Sequence, residues 1–203
     1  MKQYRQAVRT LLRDQVLDAA YALVTGEGWG RLSVAAVART AGVSRQTVYN
    51  EFGSNAKDAI GLALVEREAE QFLLGIRQEL DSNRASLEAA ARAGVGHVLR
   101  QAEDNPLIKS VLTAARGGED DELLAYLTTR PEPVFDTATA MLEAYAADAW
   151  PDVDADSRSL AVETIVRLTV SHIVQPVTSP EASARRIAVI TTRIAYPWGP
   201  KGR

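Results

Sequence analysis

The stretch Ser33–Phe52, SVAAVARTAGVSRQTVYNEF, constrains this chain more than any other. It reads as two short amphipathic helices, one over Val34–Thr40 and one from Ser44 to about Phe52, separated by a turn that holds Gly42. Val34, Val37, Ala38 and Ala41 form the apolar face of the first, Val43 lies in the turn, and Val48 and Phe52 face inward from the second. Ala38 is small where two helices must cross closely, and Gly42 sits where a left-handed backbone is needed. Ser33 and Ser44 stand at N-cap positions. This is the helix-turn-helix plan. The outward residues of the second helix are Arg45, Gln46, Thr47, Tyr49 and Asn50. Arg can bond guanine O6 and N7, Gln or Asn can bond adenine N6 and N7, and the Thr methyl can meet thymine. Ser33 and Ser44, at helix N-termini, suit phosphate oxygens. By geometry alone, a tight helical hairpin with a solvated polar face explains the same pattern equally well.

The remainder is helical almost throughout, with no convincing period-2 alternation. Gln6–Thr25 reads as a first helix closed by Gly26, Gly28 and Gly30. After Phe52, helices are expected over Ala56–Leu80, over Arg84–Ala102 behind Asp81 and Ser82, and from Pro106 to Gly117. Another follows the acidic run Glu119–Glu122, and three more cover Pro131 to Trp150, Ser157–Val174 and Pro180–Ala195. The expected class is all-α with about nine helices. Residues 1–60 form a helix-turn-helix domain, 61–195 a second helical domain, and 196–203 a Pro- and Gly-rich tail.

Composition excludes several classes. The chain has no cysteine, which removes disulfides, thiolate nucleophiles and cysteine-based zinc sites. Its two histidines, His97 and His172, are too few for a histidine metal cluster, so neither a metal nor a cofactor is expected. No apolar run reaches the length of a membrane span, and Met1–Asp14 has no signal-peptide core, so the expected location is cytoplasmic. The net charge of -3 argues at first against a nucleic-acid partner. Residues 1–60, however, hold 8 basic and 5 acidic side chains, while residues 61–203 hold 15 and 21. The basic segment coincides with the helix-turn-helix. Arg5, Arg9 and Arg13 share one face of the first helix, where a solvated stripe and a phosphate-tracking stripe are equally good readings.

The first seventy or so residues resemble the DNA-binding domain of the TetR family of one-component transcriptional regulators. The resemblance rests on Ser33, Val37-Ala38, Ala41-Gly42-Val43-Ser44, Thr47, Tyr49 and Phe52. It implies that Arg45, Gln46, Thr47 and Asn50 face bases, that Tyr49 meets a phosphate or a thymine methyl, and that Ser33 and Val34 set a helix N-terminus on the backbone. Two positions depart from the family pattern. The lysine that meets a phosphate at the start of the fourth helix is represented by Lys57, two residues late. Glu51 is acidic where a neutral or aromatic residue is common. It either accepts from a cytosine N4 or points away, since facing a phosphate it would weaken binding.

Beyond residue 61 the resemblance is architectural and implies an effector pocket and a homodimer built by the last two long helices. Candidate pocket residues are Phe72, Ile76, Val95, Leu99, Leu107, Val111, Phe135 and Met141, with Leu127 and Tyr145 nearby. Their apolar character suits a small apolar, fatty-acid-like effector, and the competing reading is a filled core. Candidate interface residues are Leu160, Ile165, Ile173, Ile187, Ile190 and Ile194. The competing reading there is that both helices pack on their own domain. Glu103–Leu107, with Ser171, His172 and Pro176, is similar to a subgroup of actinobacterial regulators beside alkane- or lipid-handling genes.

The leading expectation is a repressor released from a palindromic double-stranded operator by its effector. A helical binding or adaptor protein without operator binding is the alternative, supported by Glu51 and the displaced Lys57. No nucleophile-elbow, phosphate-loop or HExxH motif points to an enzyme, and no catalytic residue is assigned.

Overall fold

A computed structural model describes the backbone of residues 2–116 and 132–197. The expected helix around Glu119–Glu122 with Leu127, the tail from Trp198 on, and the side chains of Arg5 and Val111 lie outside the described residues. Nine α-helices and one 3₁₀ turn make up the described chain. They are α1 (Lys2–Glu27), the 3₁₀ turn (Trp29–Arg31), α2 (Val34–Thr40), α3 (Arg45–Phe52), α4 (Ala56–Ser82), α5 (Leu87–Asp104), α6 (Pro106–Arg116), α7 (Glu132–Ala149), α8 (Ala155–Val174) and α9 (Pro180–Ala195).

Local chemistry sets most of the helix ends. The hydroxyls of Ser33, Ser44, Ser86 and Ser179 and the carboxylate of Asp154 each accept from a backbone N–H of the following first turn. Each satisfies a donor that the helix itself leaves unpaired. Ser86 therefore opens α5, rather than the expected Asp81 and Ser82, and α4 runs on through those two residues. The 3₁₀ turn after α1 was not expected. It follows Gly28, whose φ is 90°.

The residues divide into two compact units, and α4 and the α5–α6 junction each run from one to the other. The first unit holds residues up to Glu68 together with α6. Its core joins Val16, Ala20 and Val24 of α1 to Val37 of α2, Val48 of α3, and Ile60 and Leu64 of α4, all with no exposed surface. Trp29 is buried here too, against Gly61, where a Cβ would stand 2.8 Å from the indole ring. It belongs to the core of this unit. α6 packs on α1 and the 3₁₀ turn, and Ser110 donates to the Val24 carbonyl at 3.0 Å. The second unit is a helical bundle in which α5 packs against α8 and α9. Val95 and Leu99 of α5 meet Ala184 and Ile187 of α9, with Ile165, Leu168 and Ile173 of α8 around them.

Candidate nucleic-acid interface and effector cavity

The α2–turn–α3 segment is built by backbone geometry. Gly42 has φ 68°, the left-handed conformation expected for it. The Val43 N–H donates to the Ala38 carbonyl at 2.9 Å and the Gly42 N–H to the Arg39 carbonyl at 3.2 Å. That pair of bonds is the Schellman closure, and it frees α3 to leave at a new angle. Gln15 of α1 donates to the Ala41 carbonyl at 2.7 Å and ties the turn to the first helix.

With Val48 and Phe52 buried, α3 presents Arg45, Gln46, Tyr49 and Asn50 on its exposed face. The Gln46 amide donates to Asn50 Oδ1 at 2.9 Å, so the two amides form one pre-set unit. Thr47 is only half-exposed, and its hydroxyl bonds Ser44 Oγ at 2.8 Å. The Ser44 hydroxyl also accepts from the Thr47 N–H at 3.0 Å. Ser33 accepts from the Ala36 N–H at 3.2 Å, with Val34 half-buried beside it. Lys57 lies in the first turn of α4.

Glu51 does not face outward. Its carboxylate accepts from Arg9 Nε at 2.8 Å and lies 3.8 Å from Arg13 Nη1, and its side chain is 8% exposed. Arg13 also stacks over the Phe52 ring, 4.6 Å from its centroid. Two members of the expected arginine stripe are thus engaged by the end of α3.

The second unit contains an apolar cavity of about 140 Å³. Of the candidate pocket residues, Phe72, Ile76, Val95 and Phe135 stand in its wall. The other candidates stand elsewhere. Leu99 belongs to the cluster between α5 and α9, Leu107 is buried in the first unit with α6, and Met141 is half-buried on α7 beside the lining Leu142. Ile165 and Ile173, expected at a dimer interface, line the cavity instead. Ile187 is 1% exposed and packs on α5. Ile194 packs with Val153, Ala161 and Ala195. Leu160 and Ile190 remain outward, at 56% and 42% exposed. The periodicity of α8 and α9 was legible, but which apolar stripe faced which neighbour was not.

A second, smaller cavity of about 60 Å³ shares Leu80, Ala91, Leu142 and Ile165 with the first. Tyr145 and Trp150 stand in its wall with their rings edge-on, centroids 5.8 Å apart. Burial pushes the Tyr145 hydroxyl above its usual pKa, and the nearby Asp81 carboxylate adds to the effect. Among the described residues, no group of three or more His, Cys, Asp or Glu could hold a metal ion, and no helix is long and apolar enough to cross a membrane.

Residues 16–63 match the family described as bacterial regulatory proteins, tetR family, and residues 86–193 match the tetracyclin repressor C-terminal domain. This chain belongs to the TetR family. As a TetR-family protein it is a helix-turn-helix, DNA-binding transcriptional regulator, and its family is a regulatory one. This TetR-family regulator is 34% identical over 195 residues to the HTH-type transcriptional regulator AlkX of Mycobacterium tuberculosis, covering 96% of this chain and 88% of that one. It is also similar to the crystal structure of the TetR family repressor AlkX from Dietzia sp., described as implicated in biodegradation of n-alkanes. The TM-score is 0.70 and the identity 27%, with 90% of this chain and 94% of that one covered. RolR, at 13% identity and a TM-score of 0.62 over 90% of this chain and 94% of its own, shares the fold.

Proposed function

We propose that this TetR-family regulator is a repressor that leaves a palindromic operator when a small apolar, fatty-acid-like effector enters the larger cavity. The observation that carries the reading is the wall of that cavity, in which Thr169 is the one polar side chain among the described lining residues. Thr169 spends its hydroxyl on the Ile165 carbonyl at 2.7 Å, so it offers no free donor. Such a wall favours aliphatic surface over polar metabolites. The role in n-alkane biodegradation stated for the Dietzia repressor is consistent with it.

Operator contact follows from the exposed face of α3. Arg45, Gln46 and Asn50 read base edges, Tyr49 and the Thr47 methyl meet the groove wall, and Ser33, Val34, Ser44 and Lys57 position the backbone. Two recognition helices in successive major grooves, roughly 34–36 Å apart, require a homodimer. Leu160 of α8 and Ile190 of α9 are the outward apolar residues around which it would form. An effector shifts the equilibrium only through different affinities for the operator-competent and released states. α4, which contributes Phe72 and Ile76 to the cavity wall and Lys57 to the first unit, is the element both sites share. The adaptor alternative loses its support in Glu51, which bonds Arg9 rather than opposing DNA.

A gel-shift titration on the promoter upstream of the protein's own coding sequence, with and without medium-chain fatty acids, tests the reading. The expected result is a shifted palindromic fragment released by the acid. Equal affinity for random DNA would sink the operator assignment. Retention of the complex at saturating acid would sink the effector.

A further inference from the structure

Tyr145 Oη and Trp150 Nε1 are both buried without a hydrogen-bond partner in strict geometry among the described residues. Native folds rarely leave such donors unpaired, and each exception calls for an explanation. The two rings are neighbours in the wall of the smaller cavity, and Tyr145 is 4% exposed. Asp81 and Arg84 lie close enough to the Tyr145 hydroxyl to act on it, although neither meets it in strict hydrogen-bond geometry, so Trp150 Nε1 is the donor with no such neighbour. Arg158 stands in the same wall, its guanidinium holding a long 3.4 Å bond to the Val153 carbonyl. The larger cavity offers no comparable donor, because Thr169 is bonded internally. Leu142 and Ile165 belong to both walls, so the two spaces are neighbours.

We propose that the smaller cavity is the head-group end of the effector site, where Trp150 N–H and Tyr145 O–H donate to an acceptor oxygen at the end of an aliphatic chain. The proposal rests on the effector reading above and deepens it. The chain fills the larger cavity, and Leu142 and Ile165 turn aside to let its end reach the donors. The Tyr145 hydroxyl, like any phenol with a pKa near or above about 10, is protonated at neutral pH and able to donate. The preferred ligand is therefore an oxygenated chain, an acid or an alcohol, rather than a plain hydrocarbon. A buried donor left unpaired by the hydrocarbon makes the difference.

The test titrates full-length ¹⁵N-labelled protein with decanoic acid, 1-decanol and n-decane, following the indole N–H peaks of its three tryptophans. The Trp150 peak is assigned by its loss in Trp150→Phe, or by sequential connectivity if that variant does not fold. The oxygenated probes are expected to move that peak downfield and to bind about tenfold more tightly than n-decane. Tyr145→Phe is expected to narrow that gap. The acid and alcohol arms separate a carboxylate from a hydroxyl as the preferred end. Equal affinity for n-decane, or an unmoved Trp150 peak with bound acid, overturns the head-group assignment and leaves the effector reading standing. No binding by any chain overturns both.

Discussion

Glu51 Oε2 accepts from Arg9 Nε at 2.8 Å, joining the last turn of the recognition helix to α1 across 42 residues of sequence. The carboxylate is almost enclosed while Arg9 remains 67% exposed, so solvent screens one side of the pair only. Glu51→Ala is expected to cost about 1 kcal/mol in urea unfolding, with most of that loss absent in an Arg9→Ala background. Because Glu51 already neutralises Arg9, Arg9→Ala alone should leave the slope of log affinity against log salt nearly unchanged. A fall of about one in that slope would instead make Arg9 a phosphate contact.

Arg45 and the Gln46–Asn50 amide pair are the residues proposed to read bases. Arg45→Ala combined with Gln46→Ala should remove sequence preference, each lost pair costing about 1–3 kcal/mol of discrimination. Circular dichroism and sedimentation should match wild type, since both side chains are exposed. Unchanged operator affinity would contradict the assignment of α3.

Gly42 has open space around its Cα but a φ of 68°. Gly42→Ala therefore tests conformation without steric clash. The expected loss is about 1–2 kcal/mol in unfolding free energy, with weakened operator binding. Wild-type stability would show that the turn relaxes elsewhere.

Leu160 and Ile190 are outward, whereas Ile187 is core. Leu160→Glu or Ile190→Glu should yield a folded monomer by analytical ultracentrifugation. Ile187→Ala should instead lower stability by about 2–5 kcal/mol. A Leu160→Glu, Ile190→Glu double variant that remains dimeric would move the interface off these helices.

Asp154 caps α8 by accepting from the Ser157 N–H at 2.9 Å, and that bond holds its carboxyl below the usual carboxylate pKa. A depressed folded pKa means stability that is present above the unfolded value and lost as pH falls through the folded one. Asn can also cap but does not titrate. The melting-temperature advantage of wild type over Asp154→Asn should therefore shrink on acidification below about pH 4. An advantage independent of pH would assign it to something other than the carboxylate charge.

Local rules in the sequence determined the α2–turn–α3 unit almost completely. Ser33 and Ser44 as caps, Gly42 as the left-handed residue and Val48 with Phe52 as the inward pair all depend on neighbours within one or two turns. The exposed face of α3 follows from those, because burying one side of a helix leaves the other. Helix existence along the rest was legible for the same reason. Glu51 was not, since its partner lies 42 residues away on α1 and only packing brings the two within 2.8 Å. The same limit hid the second unit's allocation. Ile165, Ile173 and Ile187 have the periodicity of an interface, yet they turn toward a cavity and α5. An apolar stripe records that a face is buried, and it carries no information about which surface buries it. That choice and the place of α6 in the first unit were decided by tertiary structure, where residues far apart in sequence compete for one another's surface.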